Sequence, residues 1–130
     1  MAAPYLTSWN PAAIIAANTA LLALVDADTN PAYMTAHDAA DVLLGTVVLG
    51  DPCGTVNGTT GQLDLIIAAQ EDAAPAGGNI AYWTLRDGAG VAYRSIEAVE
   101  SPTPVPGKIA MNTLAVLEGG PVQILAASVA

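Results

Sequence analysis

The sequence predicts a mainly β domain: an antiparallel sandwich or flattened barrel of about six to eight strands, with one N-terminal α-helix. Three observations predict it. Asn79–Glu100, NIAYWTLRDGAGVAYRSIEAVE, holds two β-rich runs around Asp87-Gly88-Ala89-Gly90, and aromatic and β-branched residues flanking a D-G turn mark a hairpin. Other short apolar runs recur between clusters of Gly, Pro, Asn and Asp, as strands separated by turns do. The one long run with helical spacing lies near the N-terminus. At 130 residues the chain is one domain, large enough to bury a core without staples: an extended arm over residues 1–10, then a single β-domain over 11–130 with its helix at 11–27.

The arm carries Pro4, Tyr5 and Trp9 without a helical period. Asn10-Pro11 is a helix start, an N-cap residue followed by Pro at the first helical position. Ile14, Leu21, Leu22 and Val25 then recur near a helical period, so the helix should span Pro11–Ala27 and bury that face against Leu43, Val47 and Leu125. Residues 28–41 read as a polar connector. Val42–Gly50 reads as a buried strand with a bulge at Gly45, stopped by Asp51-Pro52-Cys53-Gly54. Thr55–Gly61 is turn-rich, Gln62–Ala68 is the next strand, and Glu71–Gly78 is a loop by composition. In Ile80–Arg86, Ala81, Trp83 and Leu85 share one face and Ile80, Tyr82 and Thr84 the other. Both faces carry bulk, so both should be covered, with Trp83 and Leu85 in a core beside Val48, Leu65, Val91, Ile96 and Ile124. Ser101–Gly107 holds three prolines and reads as a stiff surface loop. Lys108–Asn112 and Val122–Val129 close the domain as strands around the turn Glu118-Gly119-Gly120-Pro121.

Twelve acids against Arg86, Arg94 and Lys108 leave a net charge of −9. That balance argues against nucleic acid, which needs a basic patch, and against an anionic membrane. Cys53 is the single cysteine, so no intrachain disulfide forms. MAAPYLTSWN has neither a basic nor a long apolar segment, so no signal peptide is expected.

The motifs that carry chemistry are incomplete. Asp26-Ala27-Asp28-Thr29-Asn30 begins like a calcium loop, yet Pro31 and His37 occupy the positions that need Gly and Glu. His37, Asp38 and Asp41 read as connector residues, because zinc sites want three or four ligands and the chain has one His. Cys53 has no cationic sequence neighbour to depress its pKa; whether it couples with His37 is decided by space, not sequence. Gly77-Gly78-Asn79 lacks a phosphate-loop pattern. Glu97 and Glu100 are spaced so that a strand would not put them on one face. No catalytic residue, cofactor or metal site is expected.

Four segments in order carry a resemblance: AAIIAANTALLALVDA; VLLGTVVLGDPCG; GGNIAYWTLRDGAGVAYRSIEAV; and KIAMNTLAVLEGGPVQILAAS. Together they resemble small Ala/Gly/Thr-rich virion structural proteins of tailed bacteriophages. The resemblance implies a capsid decoration, or cement, protein on the outer surface of the head. Such a protein is made in the bacterial cytoplasm, partners the major capsid protein lattice and forms a homotrimer, with a dimer second. A packaged genome pushes its shell outward, and an outer protein bridging capsomers resists that tension. The chain departs from the pattern at Thr29–Asp41, at the Cys53 turn and at Ser101–Gly107. A tail, neck or fibre-associated protein and a secreted bacterial binding module stand as alternatives. Pro4, Tyr5 and Trp9 are the candidate interface residues: aromatic anchors bury large area at little entropy cost, and the same arm folded back would instead shield its own sheet edge.

Overall fold

The computed structural model describes residues 10–129; the arm residues Pro4, Tyr5 and Trp9 lie outside that range. Helix α1 spans Pro11–Val25. It starts where the sequence places it: the Asn10 side chain accepts a hydrogen bond from the Ala12 N–H at 2.9 Å, and Pro11 fills the first helical position. It ends two residues early, because the Asp26 carboxylate turns to accept the Cys53 N–H at 3.1 and 3.2 Å. That contact ties the helix end to a strand. Val25 is buried, and Leu21 and Leu22 pack against the core. Their expected partners Leu43 and Leu125 instead face solvent, 41 % and 45 % exposed, while Val47 is buried. The unexpected member of the buried helix face is Asn18, whose Nδ2 donates to the carbonyls of Gly61 (2.6 Å) and Val129 (3.3 Å). Gly61 admits the helix closely: it has φ +80°, and a Cβ there would lie 2.7 Å from Ile14.

Among the described residues nine strands follow: β1 Tyr33–His37, β2 Leu43–Val56, β3 Leu63–Ala69, β4 Gly78–Asn79, β5 Tyr82–Arg86, β6 Ala92–Glu100, β7 Ile109–Met111, β8 Ala115–Val116 and β9 Ala126–Val129. Seven close into a barrel in the order β1-β2-β3-β9-β7-β6-β5, and β4 and β8 form a separate ribbon. Closure removes the exposed strand edges an open sheet of this length would present. All ladder pairs of the barrel are antiparallel except β6 with β7, where Ala98 pairs Ile109 and Glu100 pairs Met111. Parallel neighbours usually need a crossover of a dozen residues or more. Here the Pro-rich loop between Glu100 and Ile109 suffices, held by Ser128 Oγ, which accepts from Gly107 N at 2.8 Å and donates to the Val105 carbonyl at 3.4 Å.

Two expectations fail for one reason. The connector over residues 28–41 contains β1, and the stop at Asp51–Gly54 is strand β2 continuing to Val56. Both segments look polar, yet both are pinned between neighbours on each side. β1 sits between β2 and β5 with Met34, Thr35 and Ala36 buried. β2 absorbs Asp51-Pro52 in irregularities between Val48 and Gly54. The bulge assigned to Gly45 falls one residue earlier: Ala36 faces Gly45 and His37 faces Leu43, leaving Leu44 extra. The last strand is shorter than expected, Ala126–Val129, and Val122 makes only an isolated bridge to Glu71. The segment Glu71–Gly78, read as a loop, ends in the β4–β8 ribbon, where Gly78 pairs Val116 and Asn79 pairs Ala115.

Inside the barrel Trp83 and Leu85 are fully buried, as expected, with Leu65, Ile96 and Ile124 also in the core. Val48 and Val91 are not; they are 36 % and 52 % exposed. Val48 stands opposite Tyr33 on the outer face of the β1–β2 ladder, and Val91 belongs to the hairpin turn.

Candidate functional site

Register builds the site. On the β1–β5 ladder Tyr33 faces Arg86, Thr35 faces Thr84 and His37 faces Tyr82. Met34, Ala36, Trp83 and Leu85 point into the barrel, so alternation sends all six of the others outward. β6 extends the face, since Ser95 pairs Thr84 and Glu97 pairs Tyr82. The chain's one histidine, two of its four tyrosines and one of its three cations thus share one outer surface, with a third tyrosine, Tyr93, nearby on β6.

The side chains are locked together. His37 Nδ1 lies 3.3 Å from the Asp41 carbonyl, and His37 Nε2 lies 2.8 Å from Thr35 Oγ1. A carbonyl only accepts, so in the neutral ring Nδ1 carries the proton and Nε2 accepts from the Thr35 hydroxyl. Arg86 Nε donates to the same Thr35 oxygen at 3.1 Å, and Arg86 Nη1 donates to the Gly90 carbonyl at 3.2 Å. Tyr82 stacks on His37, with centroids 5.1 Å apart and planes at 20°, and its hydroxyl donates to Asp41 Oδ1 at 2.6 Å. That hydrogen bond to a carboxylate raises the Tyr82 pKa above the usual phenol value. Asp41 reaches Tyr82 because the β1–β2 turn holds it in the left-handed region, φ 67°, with Asp38 Oδ1 accepting the N–H groups of Ala40 and Val42. At the other end of the face, Asp87 organises the hairpin turn by accepting from Ala89 N and Val91 N and from the Tyr93 hydroxyl. Tyr93 is also raised, by partial desolvation first and then by the Asp87 charge.

A hydroxyl, an imidazole and a guanidinium in this order resemble a nucleophile with its base. Thr35 is only 8 % exposed, and its oxygen is covered by the His37 ring on one side and Arg86 on the other. The network stiffens a surface of Tyr, His and Arg.

Cys53 and His37 do not form a couple. His37 faces Leu43 at one end of β2, whereas Cys53 lies in the second half of that strand against Asp26. Burial first, and then the Asp26 carboxylate, push the Cys53 thiol up to about 12, which keeps it protonated and unreactive. The calcium-like segment is spent on backbone: Asp26 accepts from Cys53 N, and Asp28 Oδ1 accepts from Asn30 N at 2.8 Å. Among the described residues no group of three or more His, Cys, Asp or Glu side chains could hold a metal ion. No helix among them is long and apolar enough to cross a membrane.

Sequence reasoning singled out His37, Asp38 and Asp41 but missed Tyr33, Thr35, Arg86 and Tyr93 as a group. A signal was present: Y-x-T-x-H at 33–37 and Y-x-T-x-R at 82–86 are two period-two runs of similar polarity. No family model matches the chain, and comparison with curated proteins and with solved structures finds no match.

Proposed function

We propose that this chain is a non-enzymatic structural protein of a tailed-phage virion, a decoration protein bound to the outside of the capsid lattice and stabilising the head. The observation that carries the reading is the outer face of β1, β5 and β6, where Tyr33, His37, Tyr82, Arg86 and Tyr93 gather. Tyr and Arg are enriched in protein interfaces, whereas Lys, Glu and Asp are depleted. Because the His37–Thr35–Arg86 and Tyr82–Asp41 bonds already order these side chains, docking on them costs little further entropy. The net charge of −9 suits a position away from packaged nucleic acid. The fold is read as a flattened barrel rather than two separate packed sheets, presenting this face to the major capsid protein. Pro4, Tyr5 and Trp9 supply a second anchor on sequence grounds.

Electron microscopy of virions assembled with and without the protein tests this. Extra density on the outer head surface is the expected result. Density confined to the tail, neck or fibres would overturn the head assignment in favour of those sites, and no association with virions would favour a secreted bacterial binding module.

A further inference from the structure

We propose that Asn57 is a self-modification site: the Gly58 backbone nitrogen closes on the Asn57 side chain, ammonia is expelled, and water opens the resulting imide to aspartate or isoaspartate. The chain has six asparagines, and their surroundings single out one. Asn10 and Asn30 precede proline, whose nitrogen has no proton to give up. Asn18 is buried in α1 with its Nδ2 held by two carbonyls. Asn79 precedes buried Ile80, whose N–H donates to the Leu114 carbonyl at 2.9 Å. Asn112 precedes Thr113, a β-branched residue that adds bulk beside the attacking nitrogen. Asn57 alone precedes glycine.

The turn between β2 and β3 sets up the reaction. Asn57, Gly58, Thr59 and Thr60 are exposed, so water reaches them, and a Cβ at Gly58 would meet nothing within 4 Å. Asn57 Oδ1 accepts the N–H groups of Thr59 at 2.8 Å and Thr60 at 2.9 Å. These bonds fold the side chain over the 57–58 peptide and keep Cγ beside the Gly58 nitrogen. They also aim two fixed donors at the oxygen that gains negative charge on attack, as an oxyanion hole does. Among the described residues neither Gly58 N nor Asn57 Nδ2 has a hydrogen-bond partner, so attack and departure are both unobstructed. Gly58 N gives its proton to water or hydroxide and forms the N–Cγ bond; the Cγ–Nδ2 bond breaks, and Nδ2 leaves as ammonia with a proton from water. Hydrolysis at Cγ then yields aspartate, and hydrolysis at the main-chain carbonyl yields isoaspartate, whose backbone runs through Cβ and Cγ. In isoaspartate the Asn57 carbonyl, which accepts from Gly61 N at 2.9 Å, is displaced as a free carboxylate. The Gly61 carbonyl is one that holds Asn18 of α1, so this product loosens the turn that clasps the helix. The site stands independently of the capsid reading.

Incubation of the full folded chain from neutral to mildly alkaline pH, followed by mass-spectrometric peptide mapping and isoaspartyl methyltransferase labelling, tests the proposal, with a urea-unfolded sample as the positive control. The folded chain should convert at Asn57 before any other asparagine, isoaspartate included, and faster as pH rises, because the attacking nitrogen must lose its proton. Gly58→Ala should slow conversion by about tenfold or more by crowding the approach, with the melting temperature nearly unchanged. The isoaspartate fraction should melt below the unconverted chain. Asn57→Asp, which adds the same charge without lengthening the backbone, should melt close to wild type. Conversion confined to the unfolded sample, earlier conversion at another asparagine, or a Gly58→Ala rate equal to wild type would each overturn the proposal. An isoaspartate form as stable as the unconverted chain would overturn its link to α1.

Discussion

Trp83 is fully buried, and its Nε1 has no hydrogen-bond partner among the described residues. The indole therefore contributes packing while carrying an unmet donor. Trp83→Ala should cost roughly 3–5 kcal/mol in urea unfolding through lost contacts and the cavity left behind. Trp83→Phe should cost clearly less, because the smaller ring still fills part of the space and the orphan N–H, a burden of about 1–3 kcal/mol, disappears. A Trp83→Ala cost below about 1 kcal/mol would contradict the packing role. Cys53 makes a second prediction, in pH. Its folded pKa, pushed up to about 12, lies above the ordinary thiol value of 9.0. Between those values the unfolded chain loses the thiol proton while the folded chain keeps it, so stability falls as pH rises through this window. Below pH 9 the contribution is fully present. Cys53→Ala should flatten the decline between about pH 9 and 12 relative to wild type, measured as the difference in unfolding free energy at each pH. A wild-type thiol that reacts rapidly with an alkylating agent at neutral pH without denaturant would contradict the buried, protonated assignment.

At the scale of elements, α1 is fastened to the barrel by one amide as well as by apolar contact. Asn18→Ala removes the donor to the Gly61 and Val129 carbonyls and should destabilise by about 1–3 kcal/mol, read by denaturant titration; an effect near zero would mean those carbonyls find other donors. Strands β2 and β3 run close together at Gly54, where a Cβ would lie 2.4 Å from the Asp64 carbonyl oxygen. That atom is backbone within a ladder, so Gly54→Ala can be relieved only by moving a strand. It should lower the melting temperature more than an Ala substitution at exposed, open Gly58, where nothing lies within 4 Å. The element hardest to read in the sequence was β1. Its Thr35 and His37 look like connector residues, and the alternation that marks a strand is masked because Thr35 is buried on the outer face too. Its pairing with β2 on one side and β5 on the other makes it a strand. The hairpin β5–β6, by contrast, carries its instruction locally, in Asp87 and the residues beside it.

For the whole molecule, charge and surface chemistry divide the labour. The ion pair between Lys108 and Glu97 is exposed and adds little stability, whereas Asp26, Asp38 and Asp87 hold backbone N–H groups in the fold. If the face of Tyr82 and Arg86 meets the capsid, the pair Tyr82→Ser and Arg86→Ala should lower head occupancy by about tenfold or more while melting changes only slightly. Deleting residues 2–9 should also reduce occupancy without lowering the melting temperature. Retained occupancy with a lowered melting temperature would show that the arm serves its own domain instead. Occupancy is read from gel densitometry of purified heads.

The sequence by itself determined the helix start at Asn10-Pro11, the β5–β6 hairpin and the buried pair Trp83 and Leu85, because caps, D-G turns and strand alternation act over a few residues. The tertiary structure decided the rest. Closure of the barrel, the parallel β6–β7 pair and the passage of β2 through Asp51-Pro52 depend on partners distant in sequence. So does the outer face of Tyr33, Thr35, His37, Tyr82 and Arg86, whose two halves are nearly fifty residues apart and meet only through β1–β5 pairing. Backbone groups buried in a barrel must all find partners. That requirement can hold a polar segment such as 33–37 in a strand against its local appearance, and only the assembled ladder expresses it.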